Sequence, residues 1–93
     1  MSTIEIERKH QLGKEEAQKA ATGIAEELGR KFEVRHEWSG DRLKFHRQGV
    51  KGYLDVNEDR IRVKVELGLM LRPFKGKFEE EISRQLDKII ATG

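Results

Sequence analysis

Residues 32–67 read FEVRHEWSGDRLKFHRQGVKGYLDVNEDRIRVKVEL, and their alternation decides the fold. Phe32, Val34, His36 and Trp38 share one parity; Leu43 and Phe45 form a second set, Val50, Gly52, Leu54 and Val56 a third, and Ile61, Val63, Val65 and Leu67 a fourth. Successive side chains of a strand point to opposite faces, so each set marks a half-buried strand. The breaks at Ser39-Gly40-Asp41, Gln48-Gly49 and Asn57-Glu58-Asp59 are short enough for hairpin connections. A four-stranded antiparallel meander is the economical reading. One face is apolar and the other carries Arg42, Lys44, His46, Lys51, Tyr53, Arg62 and Lys64 among its charged and polar groups. Trp38, the single tryptophan, is expected beneath a helix, with His36 at the core margin.

Upstream, Thr3 to His10 alternates in the same way, with Ile4 and Ile6 on one parity, and predicts a first strand that pairs beside the last one. Leu12-Gly13 interrupts it, and Glu15 and Glu16 suit a first helical turn, where the helix dipole favours negative charge. Ala17, Ala20, Ala21, Ile24, Ala25, Leu28 and Phe32 then fall on one helical stripe, predicting a helix from Gly13 or Lys14 to about Lys31. Gly23 within it costs about 1 kcal/mol relative to Ala, and a close approach of another backbone is the expected reason for it.

Downstream, Gly68 ends the strand pattern, Pro73 suits a first helical turn, and Phe74, Phe78, Ile82, Leu86, Ile89 and Ile90 define a second helix running to about Ile90. The predicted order is strand, helix, four antiparallel strands, helix. A sheet with one apolar face must be covered, so both helices should lie on that face in a two-layer α+β sandwich, a reduced helix-grip-like sheet. One α+β domain is expected over residues 3–90. Its open sheet edges offer a route to a homodimer.

Charge is unevenly placed. Met1 to Gly29 holds 4 cations and 6 acids, Arg30 to Lys77 holds 13 and 7, and Phe78 to Gly93 holds 2 and 4. The basic middle segment therefore coincides with the predicted meander, where Lys and Arg solvate an outer face and discourage edge-to-edge association. There is no cysteine, which suits a reducing compartment. The first residues lack the basic and apolar regions of an export signal, and no apolar run is longer than three residues, as in Leu69-Met70-Leu71, so a cytoplasmic protein without a transmembrane segment is expected.

Catalytic patterns are missing from the sequence. His10, His36 and His46 are too far apart for a compact zinc motif, no serine sits in a Gly-x-Ser-x-Gly turn, and Lys75-Gly76-Lys77 lacks the glycine-rich run of a phosphate loop. The carboxylate runs Glu15-Glu16, Glu26-Glu27 and Glu79-Glu80-Glu81 read as solvated helix faces. No enzyme activity, metal or cofactor is expected. The basic sheet face has one aromatic, Tyr53, diluted by Glu33, Glu37, Asp55 and Glu66, a poor match to the two or three stacking aromatics of a nucleic-acid-binding sheet.

The segment Leu69-Met70-Leu71-Arg72-Pro73-Phe74 is the one place where apolar residues run together without alternating. Two readings stand: these side chains close the open end of the core, or some of them form a surface patch beside Arg72, Lys75 and Lys77. The candidate partner-binding residues are accordingly Leu69, Met70, Leu71, Arg72, Phe74, Lys75 and Lys77.

Several runs in this order resemble one family: Ile24-Ala25-Glu26-Glu27-Leu28, Trp38-Ser39-Gly40-Asp41-Arg42-Leu43-Lys44-Phe45, Gly49-Val50-Lys51-Gly52, and Leu67-Gly68-Leu69-Met70-Leu71 followed by Phe74-Lys75-Gly76. The family is the bacterial polyhydroxyalkanoic acid system proteins, and the resemblance covers residues 3–90. It implies a cytoplasmic accessory role connected with polyhydroxyalkanoate storage granules; with no catalytic site in the sequence, the leading expectation is a non-enzymatic protein that binds a granule surface or granule protein. It supplies no catalytic residue and no ligand. Two alternatives remain open: a carrier of an acyl or apolar ligand between sheet and C-terminal helix, and a weak nucleic-acid-binding module.

Overall fold

Alternation in the sequence becomes pairing in the structure, a computed structural model that describes residues 2–92. Strand β1 (Ser2–Lys9) is followed by helix α1 (Gly13–Phe32), then β2 (Arg35–Ser39), β3 (Arg42–Arg47), β4 (Val50–Val56) and β5 (Arg60–Leu67). A 3-10 helix (Leu69–Phe74) leads directly into α2 (Lys75–Thr92). The sheet is antiparallel throughout in the order β1-β5-β4-β3-β2, so the first strand does lie beside the last. β1 and β2 are its two edges.

The inward parity of β3, β4 and β5 is the one read from the sequence. Leu43, Phe45, Val50, Leu54, Val56, Ile61, Val63, Val65 and Leu67 are buried, joined by Ile4 and Ile6 of β1. Ala17, Ala21, Ile24, Ala25 and Leu28 of α1 and Phe78, Ile82 and Leu86 of α2 close the same apolar cluster from one side. Alanines let α1 lie close over the sheet, and the Phe32 and Phe78 rings stack at 4.1 Å where the helices meet. Glu33 leaves α1 in the left-handed conformation (φ 59°), and its N–H donates to the Gly29 carbonyl, ending the helix one residue beyond the expected Lys31.

At Gly52 the register demands glycine. A Cβ there would stand 2.5 Å from the Lys64 carbonyl oxygen and 2.9 Å from the Phe45 ring, which fills the vacant position.

Three local expectations are corrected. Trp38 is 37% exposed, because β2 is a short edge strand with every residue exposed; parity assigns its side chain to the helix-bearing face, where it lies beside α1 without being buried beneath it. Its indole N–H donates to Thr22 Oγ1 of α1 at 3.1 Å. His36, on the same strand, is exposed too. Gly23 is exposed with nothing near its missing Cβ, so no close backbone approach explains it.

Candidate functional site

The residues between β5 and α2 answer both readings of the apolar run at once. Gly68 N–H donates to the Gly49 carbonyl at 2.9 Å, and Leu71 N–H donates to the Gly68 carbonyl at 3.1 Å, which pins the 3-10 helix to the β3–β4 turn. Gly49 has φ +84°, and Leu71 Cδ1 would lie 3.0 Å from a Cβ placed there. Leu71, half-buried against the core, is therefore the plug. The other three apolar side chains face outward: Leu69 is 73%, Met70 87% and Phe74 42% exposed.

Three cations surround them. Arg72 and Lys77 are exposed, Lys75 is partly buried, and the Lys77 ammonium sits 5.9 Å from the centroid of the Phe74 ring. Among the described residues none of the three has a carboxylate within ion-pair distance. Six of the seven candidate residues are thus brought together on the surface, while Leu71 holds the segment from beneath. An apolar protrusion with unpaired cations beside it is suited to contact with another surface.

The open face of the sheet is a second feature. A shallow groove of about 900 Å³ runs over β3, β4 and β5, past Lys44, Lys51, Tyr53 and Lys64 to Gly49 and Gly68. Lys44 and Lys64 stand directly opposite Tyr53 on the two neighbouring strands. Arg42 lies over the Tyr53 ring at 4.1 Å and is held there by Asp55 through bonds of 2.6 and 3.0 Å. The hydrogen bonds to Asp55 push the Arg42 guanidinium above its ordinary pKa.

Two polar groups are buried that the sequence reading did not place in the interior. Glu81, which the sequence places in a carboxylate run expected to be solvated, is only 6% exposed. It accepts from Lys31 Nζ of α1 at 2.6 Å and from Gln85 Nε2 at 3.0 Å, and these bonds hold its carboxyl below the usual value despite the opposing effect of burial. Its position three residues after Phe78, on the edge of the apolar stripe, was the available signal. His10 is 5% exposed: Leu12 N–H donates to Nδ1 at 3.1 Å, and Nε2 lies 3.0 Å from the Asn57 carbonyl oxygen. Together these bonds require the tautomer with its proton on Nε2, which ties the β1–α1 and β4–β5 connections together. Both groups have structural duties.

Among the described residues no group of three or more His, Cys, Asp or Glu side chains is placed to hold a metal ion, and no helix is long and apolar enough to cross a membrane.

Against known proteins, the model of one family, described as "putative polyhydroxyalkanoic acid system protein", matches residues 4–90. The chain belongs to that family. The match spans every element from β1 into α2, so the polyhydroxyalkanoic acid system family is the context in which the patch must be interpreted. No curated protein and no solved structure matches the chain.

Proposed function

We propose that this member of the polyhydroxyalkanoic acid system family is a non-enzymatic, cytoplasmic accessory protein that attaches to storage granules through the 3-10 helix and the start of α2. One observation carries the reading: Leu69, Met70 and Phe74 stand exposed on a segment fastened to the fold by Leu71 and by the Gly49–Gly68 hydrogen bond. Exposed apolar side chains incur a solvation cost that contact with an apolar surface removes. The family's description as a polyhydroxyalkanoic acid system protein motivates the choice of a polymer store, or the proteins on it, as that surface.

The carrier alternative has less support. Between the sheet and α2 the space a ligand would need is filled by Phe78, Ile82 and Leu86, all buried. The nucleic-acid alternative has less support too, since one face of Tyr53, the aromatic on the open side of the sheet, is already covered by Arg42.

Tagged protein in polymer-accumulating cells tests the proposal. Density separation of granules should carry the protein into the granule fraction, and cells without polymer should leave it in the supernatant. A supernatant location in both cases would overturn the granule role.

A further inference from the structure

Five cations without an ion-pair partner among the described residues share one end of the molecule, which also holds the Arg30–Glu27 and Lys31–Glu81 pairs at the C-terminal end of α1. At the end where β1 leads into α1, Arg8 pairs with Asp87, Lys14 with Asp41, Arg42 with Asp55, and both Arg60 and Arg62 with Glu7. The register places Arg35, His46, Lys51 and Glu66 in one row across β2, β3, β4 and β5 at the opposite end, beside the pair Val50–Leu67 from which the 3-10 helix departs. There Arg35 and Lys51, like Arg72, Lys75 and Lys77, have no ion-pair partner among the described residues. The acids at this end include the exposed Glu33, Glu79 and Glu80 and the half-buried Glu66 opposite Lys51. The protruding apolar side chains and these unpaired cations occupy the same end.

We infer that this end docks on an anionic phospholipid surface, with Leu69 and Met70 entering the apolar layer and Arg72, Lys75 and Lys77 meeting the headgroups. The inference rests on the patch being the attachment site proposed above and names what it attaches to. Shape decides against a protein partner. Leu69 and Met70 project from a single short helix, whereas a stable protein interface buries roughly 800 Å² on each partner around a well-packed apolar centre. A lipid layer accepts a small protrusion anywhere, and basic residues beside it add attraction to negative headgroups that neutral headgroups do not provide. Each basic residue near such a surface strengthens binding by about fivefold, so three contribute on the order of a hundredfold.

Cosedimentation of the purified chain with vesicles provides the test, using equal parts phosphatidylglycerol and phosphatidylcholine against phosphatidylcholine alone. Binding to the anionic vesicles should exceed binding to the neutral ones by at least about tenfold and collapse at about 0.5 M salt. R72Q/K75Q/K77Q should lose about tenfold or more on the anionic vesicles, and L69S/M70S should also bind weakly, each with an unchanged melting temperature. Equal binding to both vesicles, or binding to neither, overturns the inference. If vesicles fail while the protein still fractionates with granules, the lipid assignment falls and granule attachment stands; if vesicles succeed while granules do not retain the protein, the reverse holds.

Discussion

Glu81 joins the two helices through Lys31, and its carboxyl is held below the ordinary value of 4.5 chiefly by that hydrogen bond and the one from Gln85. A depressed carboxyl stabilises the fold at pH values above its unfolded value, and the contribution disappears as pH falls through the folded value. Glu81→Gln should therefore lower the melting temperature at pH 7, and the gap from the wild type should narrow as the pH is taken below about 4.5. Melting curves across pH 3–7 check this; a gap independent of pH would assign Glu81 a packing role alone. Trp38 is a milder case. Trp38→Phe forfeits the bond to Thr22 at a cost of about 0.5–1.5 kcal/mol by denaturant unfolding, far from the collapse expected of a buried core tryptophan. Single residues were the least legible level. Parity in the sequence assigns Trp38 a face but not the extent to which a helix covers it, and the burial of Glu81 depends on Lys31, fifty positions away.

At the level of elements the reading was more faithful, because a period of two or of 3.6 is a property of many residues together. Strands β3, β4 and β5 and both helix stripes are buried on the sides their periodicity assigns, except at Phe74, which belongs to the 3-10 helix and is exposed. The exception is the 3-10 helix, where the period lapses and the sequence alone allowed both a plug and a patch. Leu71→Ser should lower stability by about 1–2 kcal/mol, since it removes a partly buried leucine from the core margin, whereas Leu69→Ser with Met70→Ser should change it by less than about 0.5 kcal/mol for each exposed position. Equal losses in thermal unfolding would contradict the division of labour. Within β4, Gly52→Ala should cost about 1–3 kcal/mol through overpacking, because the obstructing Lys64 carbonyl is backbone and the Phe45 ring is locked in the core. A variant as stable as the wild type would mean that the register at Gly52 is looser than the pairing indicates.

The whole molecule brings together what the sequence kept apart: the β3–β4 turn, the end of β5 and the start of α2 converge through Gly49, Gly68 and Leu71. The candidate residues are legible because they sit in one contiguous run; their outward orientation is not, since it depends on Leu71 taking the space above Gly49. The central claim is that this run attaches the protein to storage granules. The most direct measurement is the partition of the L69S/M70S variant between granule and soluble fractions of polymer-accumulating cells, beside wild type, with melting temperatures recorded for both. The expected result is a variant that melts with the wild type and moves to the soluble fraction; a folded variant that stays with the granules to the same extent as wild type would contradict the account.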